Sequence, residues 1–205
     1  MGSADIPTPV IRRLPLYLRA LMFLVDEAQE IISSEELGKK LGISPAQIRK
    51  DLSCFGEFGK QGTGYEIKHL REQLKRILKV DREWGIALVG AGALGHAIAH
   101  YEGFKNRGFY IAAILDNDPQ KIGKKIGDLE VMDSRLLPEV VREMGLQVAI
   151  IAVPTSEARK VADALIASGI KAIINYAPIT LNVPPGVQIR CIDPVTRLQN
   201  MTYYL

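Results

Sequence analysis

Apolar residues recur every three or four positions through much of the first 80 residues. This spacing predicts an amphipathic helix over residues 14–25, opening at Pro15 because proline suits a first helical turn. A second run at helical spacing predicts another amphipathic helix over residues 67–78. The segments between these helices are shorter, and capping residues mark their ends.

Two short helices are predicted in that interval. Ser33 followed by Glu36 forms a capping-box pattern that starts the first, and Gly42 ends it. Ser44 is the expected cap of the second, which runs over residues 45–55. The short glycine-containing turn that separates them has the length found in helix-turn-helix motifs.

The second short helix has the pattern of a DNA-recognition helix. Ile48, Leu52 and Phe55 fall on one face and are expected to be buried, while Gln47 is expected to reach back to the cap at Ser44. The N-terminal end of such a helix enters the major groove, where glutamine pairs with adenine and lysine or arginine with guanine or phosphate. A polar surface helix is the alternative. The residues expected to contact DNA are Ser44, Ala46, Gln47, Arg49 and Lys50.

Residues 58–65 contain three glycines and predict a hairpin with Lys60 near its tip. A small basic hairpin after a recognition helix is typical of a wing, whose lysine lies on phosphates or in the minor groove. Lys60, Gly62 and Gly64 are therefore predicted to contact DNA.

Charge is distributed unevenly along the chain. The net charge is only +3, but residues 39–79 carry ten lysines and arginines against four acidic residues. Residues 84–205 carry twelve against eleven. A local basic excess favours a polyanionic partner, although a solvated helix face gives the same pattern.

The second half of the chain carries a dinucleotide-binding pattern. An apolar strand over residues 86–89 runs directly into the Gly-x-Gly-x-x-Gly motif at 90–95, and a second strand over 110–115 ends in Asp116. In this context the first glycine permits a tight turn, the second lets the backbone approach a pyrophosphate, and the third lets helix and strand pack closely. Asp116 is expected to bind ribose hydroxyls and to repel a 2′-phosphate, which favours NADH and NAD⁺ over their phosphorylated counterparts.

Alternating strands and helices continue after residue 147. They predict a doubly wound parallel sheet with strands at 148–153, 171–175 and 187–192 and a helix at 157–168. Loops after strand ends are expected to line the cofactor site. The predicted cofactor-binding residues are Gly90, Ala91, Gly92, Ala93, Leu94, Gly95, Asp116, Val153, Pro154, Asn175, Ala177 and Pro178.

Three regions follow from these patterns: a winged-helix DNA-binding domain over 1–80, a Rossmann domain over 84–192 and a C-terminal segment over 193–205. No apolar run approaches the ~20 residues that span a bilayer, and the N-terminus lacks a signal pattern. Cys54 and Cys191 show neither metal nor disulfide spacing. A cytoplasmic protein without metal or membrane partner is expected.

A small NAD-dependent dehydrogenase is the alternative function, because nicotinamide folds most often belong to enzymes. Only about thirteen residues follow the last predicted strand, which leaves no substrate domain. Proton transfer also needs a placed acid or base. His96 and His100 lie four residues apart on one predicted helix and are more simply explained as residues on one face of that helix. Nothing in the sequence groups Lys171 or Tyr176 with a catalytic partner.

Several segments closely resemble the Rex family of redox-sensing transcriptional repressors. In the first domain these are QIRKDLS at 47–53, FGEFG at 55–59 and GTGY at 62–65. In the second they are the motif at 90–95, IAVP at 151–154 and NYAP at 175–178. The resemblance covers nearly the whole chain and implies a non-enzymatic homodimer that binds an inverted-repeat operator and releases it when NADH binds.

The resemblance also implies a C-terminal helix that swaps onto the partner subunit. It joins Arg19, Tyr101 and Asp193 into a network between subunits that carries the signal from the nicotinamide pocket to the DNA-binding domain. One departure affects closure of that pocket: the family often has a bulky apolar residue after the aspartate, whereas Asp193 is followed here by Pro194.

Overall fold

The structure is a computed structural model that describes residues 6–26, 29–60 and 63–205. The chain forms two compact units, residues 1–82 and 83–205. Within the described ranges, no helix combines the length and apolar character needed to cross a bilayer.

The N-terminal unit is a helix-turn-helix with a small antiparallel sheet. The sheet has the order β1-β3-β2. Its helices pack around a core that includes Leu14, Tyr17, Leu21, Ile48 and Leu70. In chain order its elements are α1 (Thr8–Asp26), β1 (Ile31–Ile32), α2 (Ser34–Leu41), α3 (Pro45–Ser53), β2 (Gly59–Lys60), β3 (Gly64–Glu66) and α4 (Ile67–Ile77).

The first helix begins earlier than predicted, and Pro15 lies inside it rather than at its start. Thr8 and Pro9 supply the first turn instead, since proline there loses no intrahelical hydrogen bond. Pro15 is exposed, so its ring faces solvent while Leu14 beside it is fully buried. Burial of the apolar stripe through Leu24 outweighs the hydrogen bond that Pro15 cannot make.

Capping residues set both bounds of α2 and the start of α3 as the sequence indicated, whereas α3 ends at Ser53, two residues before its predicted end. The Ser33 hydroxyl accepts from the Glu36 backbone nitrogen while the Glu36 carboxylate accepts from that of Ser33. Gly42 ends α2 at a φ of 67°, a left-handed conformation that favours glycine. The Ser44 hydroxyl accepts from the Gln47 backbone nitrogen at 3.2 Å. The Gln47 side chain does not reach back to Ser44 as predicted; it donates to Asp51.

The C-terminal unit is a seven-stranded sheet in the order β10-β9-β8-β4-β5-β7-β6. Its strands are parallel except β6, which pairs antiparallel with β7. The elements are β4 (Trp84–Val89), α5 (Ala93–Ala99), β5 (Phe109–Asp116), β6 (Lys125–Ile126), β7 (Leu129–Asp133), α6 (Leu137–Glu143), β8 (Val148–Ile151), α7 (Thr155–Ala167), β9 (Ala172–Asn175), β10 (Gln188–Cys191) and α8 (Pro194–Thr202).

The six parallel strands have the doubly wound order of a Rossmann fold, with β4 at its centre. Alternate residues of β4 face opposite sides of the sheet. Ala87 and Val89 pack with α6 and α7, whereas Ile86 and Leu88 pack on the side covered by α5. A strand buried on both faces explains why this segment is continuously apolar in the sequence.

Candidate DNA-binding surface and dinucleotide cleft

A cleft of about 570 Å³ lies at the carboxyl ends of β4 and β8. The chain builds one half of the sheet outward from β4 and returns to the other side of β4 at β8, so the cleft lies at the topological switch point where doubly wound folds bind dinucleotides. The predicted cofactor residues that line it are Gly90, Gly92, Ala93, Leu94, Asp116, Val153 and Pro154.

The three motif glycines have separate structural reasons. Gly90 has a φ of 108°, and a Cβ there would overlap the carbonyl oxygen of Ala152. A Cβ on Gly95 would overlap the carbonyl oxygen of Gly90. Gly92 has ordinary backbone angles, and a Cβ there would meet nothing within 4 Å. The first and third glycines are thus needed by the fold, while the space at the second is open to a ligand.

Asp116, the last residue of β5, holds the glycine-rich loop in place. One carboxylate oxygen accepts from the Ala91 backbone nitrogen at 2.7 Å and from Lys121 Nζ at 3.2 Å, and the other accepts from the Asp118 backbone nitrogen at 2.8 Å. Burial raises the pKa of the Asp116 carboxyl, but these hydrogen bonds outweigh that effect and hold the pKa below its ordinary value. The carboxylate is therefore ionised at neutral pH.

Polar residues missed by the sequence analysis share this end of the cleft. Asn117, Asp118 and Lys121 follow β5, and Lys160 lies on α7. Lys121 Nζ lies 3.6 Å from an Asp118 carboxylate oxygen in addition to its bond with Asp116. Their position directly after a strand end, where cofactor loops belong, is the signal that could have identified the first three.

The residues predicted after β9 are not part of the cleft lining that the structure describes. Asn175 is buried; its amide nitrogen donates to the carbonyl oxygens of Ala177 and Ile179, and its amide oxygen accepts from the Ala177 backbone nitrogen. These bonds brace the loop itself. Pro178 borders a separate depression, together with Asp193.

Helix α3, the predicted recognition helix, leaves most of the residues that were predicted to contact DNA accessible. Ser44, Ala46, Arg49 and Lys50 are exposed, and Gln47 is half-buried. The Arg49 side chain already has a protein partner, because its Nη1 donates to the Ser34 hydroxyl on α2 at 2.8 Å. Arg49 and Ser34 together therefore form a polar edge between the two helices of the motif.

Asp51 is fully buried on the inner side of α3 and was not singled out by the sequence analysis. Arg13 donates to it through Nε at 2.5 Å and Nη2 at 2.8 Å, and the Tyr17 hydroxyl donates at 2.6 Å. The Gln47 amide adds a fourth bond at 2.7 Å. Burial raises the pKa of the Asp51 carboxyl, but the four hydrogen bonds lower it by a larger amount, so the pKa lies below its ordinary value. The stabilisation from this depressed pKa is present at neutral pH and is lost as the pH falls through it.

The wing is a short antiparallel pair in which Gly59 faces Tyr65 and Lys60 faces Gly64. Gly64 has a φ of 88°, and a Cβ there would lie 2.7 Å from the carbonyl oxygen of Ile32. Close packing against β1 therefore explains this glycine. Gly62 and the Lys60 side chain lie outside what the structure describes.

The three residues expected to transmit a signal have defined surroundings within their own units. Arg19 is exposed on α1. Tyr101 is 56% exposed and packs edge-on against Phe104. Asp193 caps α8, since its carboxylate accepts from the Val195 backbone nitrogen at 2.9 Å and the Thr196 hydroxyl at 2.8 Å.

Helix α8 and the residues after it expose many large apolar side chains. A water-exposed row of this kind marks an interaction surface when it is contiguous. The exposed residues are Val195, Leu198, Met201, Tyr203, Tyr204 and Leu205.

A winged helix-turn-helix joined in one chain to a Rossmann domain defines a DNA-binding regulator with a nucleotide-sensing domain. Family models match both parts: residues 5–53 match "Putative DNA-binding protein N-terminus" and residues 81–179 match "CoA binding domain". The chain belongs to the Rex family of redox-sensing transcriptional repressors, whose role is regulatory rather than enzymatic.

Two relatives and two structures illustrate that membership. The redox-sensing transcriptional repressor Rex of Chloroflexus aurantiacus is 52% identical over 100% of this chain and 97% of its own length. That of Desulfitobacterium hafniense is 43% identical over 99% and 97%. The crystal structure of RSP with β-NAD⁺ and operator DNA matches with a TM-score of 0.92 and 39% identity over 98% of this chain and 93% of that one. RSP with β-NADH matches at 0.88, with 37% identity over 98% and 94%.

Proposed function

We propose that this protein is a transcriptional repressor that binds operator DNA when NADH is low and releases it when NADH binds. The observation that carries the proposal is the pairing of a basic winged helix with a cleft at the Rossmann switch point in one chain. RSP, which has the same fold at high TM-score, has been solved with β-NAD⁺ and operator DNA and with β-NADH.

The difference between the two cofactors is large enough for a sensor. NAD⁺ carries a positive charge on its nicotinamide ring that NADH lacks, and a dry apolar pocket disfavours the charged ring through desolvation. A hundredfold preference for NADH corresponds to only ~2.7 kcal/mol. For DNA release, NADH must also bind the DNA-incompetent arrangement more tightly than the competent one.

The functional unit is proposed to be a cytoplasmic homodimer. Two copies would place two recognition helices on an inverted repeat, whose half-site spacing reflects the two-fold symmetry of the protein. The exposed apolar side of α8 supports an interface with a second copy, where those side chains would leave water.

A gel-shift experiment with a pool of genomic fragments tests the proposal. Specific fragments should be retained with NAD⁺ and released with NADH. DNA binding that ignores NADH, or turnover of a hydroxy or keto substrate with NAD⁺ or NADH, would contradict it.

Lys50→Ala is expected to weaken operator binding by ~1–3 kcal/mol and to relax sequence preference, because Lys50 is exposed on the recognition helix. Lys60→Ala serves as the matched variant. Loss of a phosphate contact should weaken binding to DNA of every sequence by the same factor and make the affinity depend less steeply on salt concentration. Fluorescence anisotropy on operator and scrambled duplexes at several salt concentrations measures both. Unchanged operator binding in Lys50→Ala would refute the assignment of α3.

Discrimination between NADH and NADPH is expected to depend on Asp116. A carboxylate that is ionised at this point of the cleft repels the 2′-phosphate of NADPH. NADH should therefore bind at least about tenfold more tightly than NADPH, a difference in binding free energy of ~1.4 kcal/mol. Asp116→Asn should bring the affinities for NADH and NADPH closer together. It should also weaken the binding of NADH, because Asp116 anchors the Ala91 backbone. Fluorescence titration of both cofactors measures the ratio. Asp128→Asn, in the turn between β6 and β7, is the control, and equal affinities in the wild type would refute the role.

A further inference from the structure

Asp51 joins two helices through a carboxylate that is fully buried. Arg13 and Tyr17 of α1 donate to its oxygens, and Gln47, one turn earlier on α3, donates to Oδ1, which also accepts from Arg13. A buried ionised carboxylate is tolerated only when its oxygens are hydrogen-bonded. The position of α3 against α1 is therefore coupled to the same group that holds the Gln47 side chain.

The contact with Asp51 fixes which way the Gln47 amide faces. An ionised carboxylate can only accept hydrogen bonds, so the amide nitrogen rather than the amide oxygen must face Asp51. The Gln47 Nε2 to Asp51 Oδ1 distance of 2.7 Å fits such a bond. The amide oxygen and the second N–H of the half-buried Gln47 remain for another partner.

That orientation matters for reading a base. Glutamine pairs with adenine by accepting from the N6 amino group and donating to N7, and an amide turned by 180° presents these atoms in the wrong order. A glutamine that can rotate freely at the groove would lose part of this selectivity. A neighbour that accepts but cannot donate removes the reversed orientation.

We propose that Asp51 is a positioning residue for operator recognition, which sets the orientation of the Gln47 amide and so decides which base edge Gln47 pairs with. This inference rests on the proposed function, because it requires Gln47 to face the operator. Arg13 and Tyr17 hold the Asp51 carboxylate, so α1 takes part in base recognition without touching a base.

The variant Asp51→Asn distinguishes a role in orienting the Gln47 amide from a role that only stabilises the fold. An asparagine amide both donates and accepts, so either orientation of Gln47 finds a partner there. We expect discrimination at the base pair read by Gln47 to fall from about 5- to 150-fold to within about twofold, while discrimination at the base pair read by Lys50 persists. A role confined to stability would weaken every duplex by the same factor.

The measurement is the affinity for a set of operator duplexes that differ at single symmetric base pairs. Gln47→Ala identifies the base pair whose discrimination depends on Gln47, and Lys50→Ala identifies a different one. Tyr17→Phe is the matched control, because it removes the donor to Asp51 Oδ2 and leaves the bond from Gln47 to Oδ1 in place. It should lower thermal stability while keeping base discrimination.

A spectroscopic test needs no Asp51 variant and so remains decisive if Asp51→Asn does not fold. In the ¹⁵N-labelled wild-type protein, the side-chain amide signal of Gln47 is assigned by its loss in Gln47→Met. The Gln47 amide proton that is donated to Asp51 should exchange with solvent at least about tenfold more slowly than the amide protons of Gln147, whose side chain is exposed in the second unit. Exchange as fast as at Gln147 would overturn the proposal.

The outcomes separate this inference from the function on which it rests. If the wild type binds its operator but Asp51→Asn weakens all duplexes equally, only the role of Asp51 is refuted. If the wild type binds no operator at all, the proposed function fails and the base-reading role of Asp51 fails with it, whatever the exchange rate at Gln47.

Discussion

Gly92→Val is expected to produce a repressor that binds its operator and no longer responds to NADH. The backbone at Gly92 has angles that any residue adopts, and a Cβ there meets no protein atom within 4 Å. The fold should therefore accept valine, whose branched side chain would occupy the space proposed for the pyrophosphate. NADH affinity should fall at least about a hundredfold, or ~2.7 kcal/mol. Calorimetry measures NADH binding, and anisotropy measures operator binding.

Gly95→Ala is the matched control for that variant. Its Cβ would overlap the backbone oxygen of Gly90, which cannot rotate away as a side chain can. We expect the second unit to lose about 1–3 kcal/mol of stability, seen as a lower Tm. If Gly92→Val lowers the Tm as much as Gly95→Ala, or loses operator binding, the space at Gly92 serves the fold rather than a ligand.

Asp193→Ala is expected to leave NADH affinity within a few-fold of wild type and to abolish the release of DNA by NADH. A carboxylate that can accept from a tyrosine hydroxyl or pair with an arginine has two discrete arrangements, as a switch between Tyr101 and Arg19 requires. The hydrogen bond from Thr196 lowers the pKa of Asp193, so it is charged at neutral pH. Operator binding measured against rising NADH detects the loss.

Two further variants separate the switch from the helix cap that Asp193 also provides. Asp193→Asn keeps a capping oxygen and removes the charge, so it should be uncoupled like Asp193→Ala. Thr196→Val removes one capping hydrogen bond and keeps the charge, so it should release DNA at the wild-type NADH concentration. Normal release by Asp193→Asn would show that the charge at this position does not carry the signal.

Local patterns predicted the elements that local chemistry determines. The capping box at Ser33 and Glu36 and the motif at 90–95 depend on residues close in sequence, and both adopt the expected geometry. The predicted start of α1 at Pro15 was wrong, because the apolar stripe that is buried along the helix extends N-terminal of Pro15 and the helix begins at Thr8. The hairpin of β6 and β7 was not predicted, since strands as short as Lys125–Ile126 show no measurable period.

Contacts between distant parts of the chain account for the site residues that the sequence did not reveal. Asp51 sits at a polar position of an exposed-looking helix, and only the packing of α1, with Arg13 and Tyr17, makes it a buried carboxylate. The bonds from Asn175 to Ala177 and Ile179 are local by contrast, and residue type alone does not distinguish such bracing of a loop from a contact with a cofactor, so its cofactor role stays a prediction.

The exposed apolar row on α8 has a consequence for genetics. If this row is covered by a second copy, a cell that carries one wild-type and one Gly92→Val allele assembles mixed dimers as well as pure ones. Random pairing of equal amounts gives about half mixed dimers and a quarter of each pure kind, a mass-action result that needs no new contact. A single NADH-insensitive subunit that keeps a mixed dimer on its operator would make the allele dominant, and one that does not would make it partly recessive.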